Sequence, residues 1–155
     1  NVILGTPTAL DNCAVASLTS NTPAAYVVGT NVVTWTATDR SGNTASCQQR
    51  IIVRDAQLPT ITCPATVTVN ANPGACVATG VALGSPTTAD NCGIASVTNN
   101  APAQFALGTN SVAWTVTDTS GNPATATQQV IVEDTEPPTI TAMNIGIRLS
   151  IPMSG

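Results

Sequence analysis

Histidine and lysine are both absent from this sequence of 155 residues, and their absence bears first on catalysis. A serine or cysteine nucleophile needs a neighbouring base, most often His or Lys, to activate it. Glu133 and Glu136 lie in a linker instead of facing each other across a cleft, so they do not resemble the carboxylate pair of a glycosidase. The sequence therefore predicts a protein that is not an enzyme.

Charged and aromatic residues are also scarce. Charged residues make up 8% of the chain and aromatic residues 3%, and the 4 basic residues are all arginines. No basic stripe is available to neutralise a phosphate backbone, and no apolar run reaches the roughly 20 residues of a membrane-spanning helix. We therefore expect neither nucleic-acid binding nor membrane insertion.

An internal repeat organises the chain. Asp11 and Asp90, and likewise Trp35 and Trp114, are separated by 79 residues, and the two copies align without a gap. A repeat of this size indicates two copies of one domain in series. The sequence divides into repeat 1 (residues 1–55), repeat 2 (residues 56–134), and a tail of linker and strand (residues 135–155).

Each repeat contains a hairpin pattern with period two. Val112, Trp114 and Val116 alternate with polar residues, "DTSGN" turns the chain, and "ATATQQVIVED" runs back. This alternation predicts a β-hairpin whose core side includes these three residues and, in repeat 1, Val33 and Trp35. Because Trp35 and Trp114 occupy equivalent strand positions, we expect both to pack in the core and not to stack on a sugar. About seven short strands in a full repeat of about 79 residues predict tandem immunoglobulin-like β-sandwiches, the first of which lacks its N-terminal strands.

The motifs "TITCP", "DNCG", "FALGTNSVAWTVTDTSGN" and "VIVEDTEPPTI" together resemble the hyalin repeat (HYR) domain over nearly the full chain. This resemblance implies an all-β, immunoglobulin-like fold arranged in tandem, with adhesive or structural roles and no catalysis. It also implies an extracellular or cell-surface location. Because such modules occur in bacterial surface adhesins, we expect a bacterial source.

The resemblance also suggests how the 5 cysteines are used. The family pattern implies disulfides between Cys13 and Cys47 and between Cys63 and Cys76. Cys92 is left over, because Ala126 stands where the counterpart of Cys47 would be. Cys92 is then either a free thiol or part of an intermolecular disulfide. Without His or a CxxC motif, a zinc site is not expected.

The two ends of the sequence differ in a complementary way. Residues 2–5 align with residues 81–84, so repeat 1 as given has no counterpart of residues 59–79. At the other end, residues 139–141 restart a third copy, and the tail then alternates apolar and polar residues. The predicted buried face of this tail strand consists of Ile140, Ile145, Ile147, Leu149, Ile151 and Met153.

From this complementarity we derive a hypothesis about assembly. The tail strand of one copy completes repeat 1 of the next, giving a head-to-tail filament by strand donation. Two alternatives stay open. The chain is a fragment of a longer tandem adhesin or spacer that binds a surface receptor or carbohydrate, or the tail returns to repeat 1 of the same molecule.

The aspartates suggest a second kind of site. In an immunoglobulin-like sandwich, Asp55 at the linker would lie near Asp90 and Asp118 in the loops at the entering end of repeat 2. Calcium binds six to eight oxygen atoms and could be held there. The alternative is that these aspartates accept hydrogen bonds within their own turns. We expect no other cofactor.

Overall fold

The computed structural model describes residues 2–143 and Gly146. This part of the chain forms strands and no helix. The strands are β1 (Val15–Ser20), β2 (Gly29–Asp39), β3 (Thr44–Val53), β4 (Thr60–Thr62), β5 (Val67–Asn70), β6 (Val77–Thr79), β7 (Thr87–Ala89), β8 (Ile94–Asn99), β9 (Gln104–Ala106), β10 (Gly108–Asp118) and β11 (Pro123–Glu133). The predicted all-β fold of tandem immunoglobulin-like units is confirmed. The described residues include no helix long and apolar enough to cross a membrane.

Repeat 1 forms one antiparallel sheet of three strands in the order β1-β2-β3. Trp35 in the central strand lies opposite Ser20 on one side and Cys47 on the other. Val33 is buried, whereas Trp35 and Ala37 on the same face are only partly buried. The described part of repeat 1 therefore contains the hairpin layer of a sandwich with little covering it.

Repeat 2 has both layers. Its first layer is a sheet of four strands in the order β5-β11-β10-β8, in which β5 runs parallel to β11 and the other neighbours are antiparallel. The second layer consists of two strand pairs, β4 with β7 and β6 with β9. The stretch "TITCPATVTVN" supplies two strands, β4 and β5, which belong to different sheets. Pro64 falls between them, and proline cannot donate a hydrogen bond to a ladder.

The core of repeat 2 lies between these layers. The alternation of β10 and β11 places one face of each strand inward, because successive side chains point to opposite faces. Buried residues come from both layers, and the cluster consists of Ala78, Phe105, Val112, Trp114, Val130 and Val132. Val116 is also fully buried. Ile61 and Cys63 pack against the cluster from the side of β4.

Candidate functional site

The loop that holds Asp90 is fixed at the end of repeat 2 that faces the linker. The Asp90 carboxylate accepts hydrogen bonds from the backbone N–H of Cys92 at 2.7 Å and of Gly93 at 3.1 Å. The Thr119 hydroxyl donates to the Cys92 carbonyl at 3.0 Å, and the Thr119 N–H donates to the Gly93 carbonyl at 3.1 Å. The loop is therefore held against the β10–β11 turn.

The linker between the repeats is held to the same turn. The Asn122 side-chain amide donates to the backbone carbonyls of Asp55 at 3.2 Å and Gln57 at 3.3 Å. The Asp55 carboxylate in turn accepts a hydrogen bond from the Gln57 N–H at 3.1 Å. These contacts bring the end of repeat 1 to the loop end of repeat 2.

As a result, an acidic cluster forms at the repeat junction. Ligand atoms of Asp55, Asp90 and Cys92 all lie within 4.8 Å of one another. One carboxylate oxygen of Asp55 (Oδ2) and one of Asp90 (Oδ1) are buried without a hydrogen-bond partner. Cys92 is a member of this cluster that the sequence did not predict. Its position two residues after Asp90 in the same short loop is the signal that would have identified it.

Asp118 lies close to this cluster but is satisfied by its own turn. Its side chain is 1% exposed, and its carboxylate accepts hydrogen bonds from the N–H of Ser120 and Asn122, both at 2.8 Å. Burial by itself would raise the pKa of this carboxyl, but the hydrogen bonds from Asn122 and Ser120 hold the pKa of Asp118 below its ordinary value of 3.8. Here the turn chemistry considered in the sequence analysis is present.

The chemistry of the cluster follows from its charges. The adjacent Asp55 carboxylate, burial, and the negative charges of Asp90 and Asp118 raise the pKa of the Cys92 thiol above its ordinary value of 9.0. The thiol is therefore protonated at neutral pH and is a poor ligand for soft metals, which bind thiolates. The two unpaired carboxylate oxygens are the type of ligand that calcium binds, although they supply only part of the six to eight oxygens it takes.

The disulfide predicted between Cys13 and Cys47 does not fit the sheet of repeat 1. Cys47 lies opposite Trp35 on one side of β2, and Val15 lies opposite Asp39 on the other side. Trp35 and Asp39 are four residues apart along β2, and β1 and β3 are two strand spacings apart. Cys47 and Val15 are therefore about 16 Å apart. Cys13 is two residues before Val15, so it can lie at most about 7 Å closer to Cys47 than Val15 does. The remaining distance between the Cα atoms of Cys13 and Cys47 exceeds the roughly 7 Å that a disulfide tolerates. Both thiols are free.

The expected bond between Cys63 and Cys76 is also not formed. Both cysteines are free, and they lie at opposite ends of β5. Cys63 precedes this strand, whereas Cys76 follows the next turn, in which the Asn72 N–H donates to the Val77 carbonyl at 2.8 Å. All five cysteines lie in the described part of the chain, and none of them is in a disulfide there.

A groove on repeat 1 is the second candidate site. It has a volume of 240 Å³, and its walls include Pro7 and Ala9 on one side and Trp35, Ala37 and Cys47 on the other. Trp35 Nε1 donates to Gln49 Oε1 at 3.0 Å beside this groove. Part of the hairpin face predicted to be core is therefore open at this position.

The predicted donor strand falls largely outside the described residues. Ile140 is 97% exposed. Ile145, Ile147, Leu149, Ile151 and Met153 lie outside the described residues, so their packing as a strand stays a prediction.

A complete two-layer sandwich in repeat 2, preceded by the matching hairpin sheet of repeat 1, defines a tandem repeat module of the immunoglobulin-like class. The HYR domain model matches residues 1–53 and again residues 54–132. The chain therefore belongs to the HYR domain family, as the sequence motifs predicted.

Two curated relatives extend this finding. A protein named hyalin from Lytechinus variegatus is 38% identical over 152 residues, covering 92% of this chain and 29% of the relative. A second hyalin, from Strongylocentrotus purpuratus, is 38% identical over 151 residues, covering 91% of this chain and 13% of the relative. The chain thus spans less than a third of either relative. Both are animal proteins, so they give no support to the expectation of a bacterial source.

Proposed function

We propose that this chain is a structural repeat pair of an extracellular adhesion protein and has no catalytic role. The observation that carries the proposal is the pair of adjoining HYR matches, which together cover residues 1–132. The similarity to hyalins over most of the chain supports the same proposal. In this role the sandwiches space and present their loops, and the partner is a surface receptor or a carbohydrate.

The repeat junction supports a spacer role. Asn122 fastens the linker carbonyls of Asp55 and Gln57 to the hairpin turn of repeat 2. Hydrogen bonds of this kind limit rotation between adjoining domains, and limited rotation keeps an array extended. Residues 100–103 form the loop between β8 and β9, and Phe105 in β9 is 3% exposed and belongs to the core. A receptor would therefore contact the polar residues that precede it.

Adhesion can be tested with beads. Fluorescent beads coated with the folded chain should be retained on animal cell monolayers, and enzymatic removal of surface glycans should separate carbohydrate from protein receptors. The matched control is a Trp114→Ala chain, which carries the same charges but a damaged core. Retention equal to that of the control would overturn the adhesive part of the proposal.

Strand donation is the second candidate function, and the partly open face of repeat 1 favours it. In this proposal, residues 139–155 of one copy pair with repeat 1 of another and form a head-to-tail filament. Sedimentation should then show assemblies that grow with concentration and disappear when residues 139–155 are deleted. Assemblies that survive the deletion, or a chain that stays monomeric at high concentration, would overturn this candidate without affecting the adhesive role.

Calcium binding at the repeat junction also stays a proposal. Asp55 and Asp90 would supply the carboxylate oxygens, since each has one buried oxygen without a partner. Asp118 would add its negative charge nearby and keep the hydrogen bonds of its own turn. A bound ion would stiffen the junction between the two sandwiches.

A further inference from the structure

The pairing of β5 with β11 joins the two ends of repeat 2. β5 follows soon after the chain enters the repeat, and β11 is the last strand of the repeat. The two strands are parallel, and their register runs from Val67 opposite Val130 to Asn70 opposite Glu133. Every other neighbouring pair in this sheet is antiparallel. The parallel pair therefore connects the entering segment of the repeat directly to the exiting one.

A parallel pair at the chain ends has a definite response to tension. When the two ends of the repeat are pulled apart, β5 is loaded at its N-terminal end and β11 at its C-terminal end. In a parallel ladder these two strand ends lie at opposite ends of the ladder, so the strands are pulled along each other. The hydrogen bonds of such a ladder are evenly spaced. They therefore share the load and must break together.

The inner side of this ladder is covered by the core. Val130 and Val132 are buried, and the side chains of Val67 and Val69 pack against the core cluster. A hydrogen bond is electrostatically stronger in such surroundings than in water. The pair thus combines a shear geometry with bonds for which water competes weakly on one side.

Further hydrogen bonds extend the contact at both ends of the ladder. Before β5, the Ala65 carbonyl accepts a hydrogen bond from the Gln128 side-chain amide at 2.9 Å. After β5, the Ala71 N–H donates to the Glu133 carbonyl at 2.8 Å. Both contacts continue the register of the two strands. The entering segment is therefore bound to the exiting one from residue 65 to residue 71.

The chain that leaves β11 is held by a side chain. Glu136 Oε2 accepts a hydrogen bond from the Gly74 N–H at 2.7 Å. Gly74 lies in the turn that follows β5, which is closed by the Ala75 N–H donating to the Asn72 carbonyl at 2.9 Å. Because Glu136 lies just beyond β11, this bond keeps the exiting chain in line with the strand. Tension then acts along the ladder instead of peeling off its last pair.

We infer that the β5–β11 pair and the Glu136–Gly74 contact form a shear clamp, which makes repeat 2 a load-bearing element of the chain. The inference goes beyond the proposed spacer role and does not depend on receptor binding, because it rests on the strand order within repeat 2. An adhesion protein is under tension when both of its ends are held. The clamp keeps the repeat folded under that tension.

Two pulling directions on one variant test the clamp. Cys76 is exposed and free, and it follows β5 at the same end of the ladder as Glu133. In a full-length chain whose other cysteines are serines, one optical-trap handle is attached at the C-terminus and the second either at the N-terminus or at Cys76. Between the termini, repeat 2 should unfold in one step that releases about 25 nm, the contour length of residues 60–133.

Between Cys76 and the C-terminus, the same ladder is pulled open from one end, so its bonds break one after another. We expect the ladder to open at a clearly lower force in this direction. Both pulls use the same folded variant, so any loss of stability from the serine substitutions affects them equally. Equal forces in the two directions would overturn the inference.

Two substitutions of one glutamate test the contact of the exiting chain. Glu136→Ala should raise the rate of unfolding at constant force between the termini about fivefold, the effect of losing one hydrogen bond of typical strength. The matched Glu136→Gln removes the same charge but keeps an oxygen that can accept from Gly74, so its rate should stay near that of the unchanged chain. Urea unfolding without force should differ little between the two variants, because the bond is exposed to water. A Glu136→Ala rate no higher than that of Glu136→Gln would also overturn the inference.

Discussion

Repeats 1 and 2 share the same tryptophan–glutamine contact but bury it differently. Trp35 donates to Gln49 at 3.0 Å, and Trp114 donates to Gln128 at the same distance. Trp114 is 6% exposed and Gln128 is 1% exposed, whereas their counterparts in repeat 1 are only partly buried. The hairpin and its internal hydrogen bond are therefore set by local sequence, while burial depends on strands that are distant along the chain.

The glutamine illustrates what the covering strands add. In repeat 2 the Gln128 side chain accepts from the indole and donates to two backbone carbonyls, so its buried polar atoms are satisfied. A buried glutamine is stable only when such partners are present, because an unpaired buried amide is costly. The glutamine is thus part of a buried core network in repeat 2, whereas its counterpart Gln49 is only partly buried in repeat 1.

The largest predicted difference concerns the two tryptophans. Trp114→Ala removes a buried ring from the core and should lower the free energy of unfolding by about 3–5 kcal/mol. Trp35→Ala should cost clearly less in the purified chain, because the ring is already partly in solvent. Urea unfolding of both variants, followed by far-UV circular dichroism, measures the two losses. Equal losses would show that the Trp35 face is covered in solution.

The glutamines should give the next largest difference. Gln128→Ala leaves the Trp114 indole and the carbonyls of Ala65 and Leu83 without partners, so we expect a loss of about 3 kcal/mol. Gln49→Ala leaves one partly exposed indole that water can reach, and its cost should stay below about 1 kcal/mol. The same unfolding experiment compares them. A Gln49→Ala loss as large as that of Gln128→Ala would contradict the open groove.

The local features of the fold could be predicted from the sequence, and the non-local ones could not. The period of two in β10 and β11 and the "DTSGN" turn predict the hairpin, because alternation and turn residues act over short range. The separation of β4 from β5 depends on pairing with β7 and β11, which propensity does not encode. Burial of Trp35 was expected from its equivalence to Trp114, but burial depends on the layer above.

The candidate site shows the same limit. Domain topology was enough to expect Asp55 beside Asp90, and these residues do lie together. The disulfide pairings were predicted from the family pattern. That pattern does not specify which residues of neighbouring strands lie opposite each other. Once β1 and β3 are known to lie on opposite sides of β2, the separation of Cys13 from Cys47 follows directly. Register is a property of strand pairs, so one strand's sequence does not determine it.

Calcium should produce a smaller effect, confined to the junction. At a calcium concentration ten times the dissociation constant, binding to the folded state alone adds about 1.4 kcal/mol to the free energy of unfolding. Asp90→Asn should remove this gain. The matched control is Asp11→Asn, because Asp11 holds the Cys13 N–H in the same kind of loop at 2.8 Å and does not belong to the cluster of Asp55, Asp90 and Cys92. Unchanged unfolding midpoints with calcium and with chelator would exclude the site.

The smallest predicted effect is the response of the two hairpin turns to acid. Hydrogen bonds from Asn43 are the main cause that lowers the pKa of Asp39. At Asp118, burial raises the pKa, but hydrogen bonds from Asn122 and Ser120 outweigh burial and lower the pKa overall. A lowered pKa in the folded state means that each carboxylate stabilises the fold above pH 3.8 and that this contribution is lost as the pH falls through the folded pKa. Melting temperatures measured from about pH 5 to about pH 2 follow that loss.

Replacement by asparagine removes the titrating group while keeping a side-chain oxygen that can accept the turn hydrogen bonds. Asp118→Asn should flatten the acid limb of the melting curve more than Asp39→Asn, because the buried turn is screened less by solvent than the exposed one. Since the two turns make the same hydrogen bonds within the chain, burial is the variable that differs. If both variants flatten the limb equally, the linker and the Asp90 loop that contact the turn of repeat 2 do not affect its carboxylate, and the difference between the repeats is confined to the middle of the hairpin.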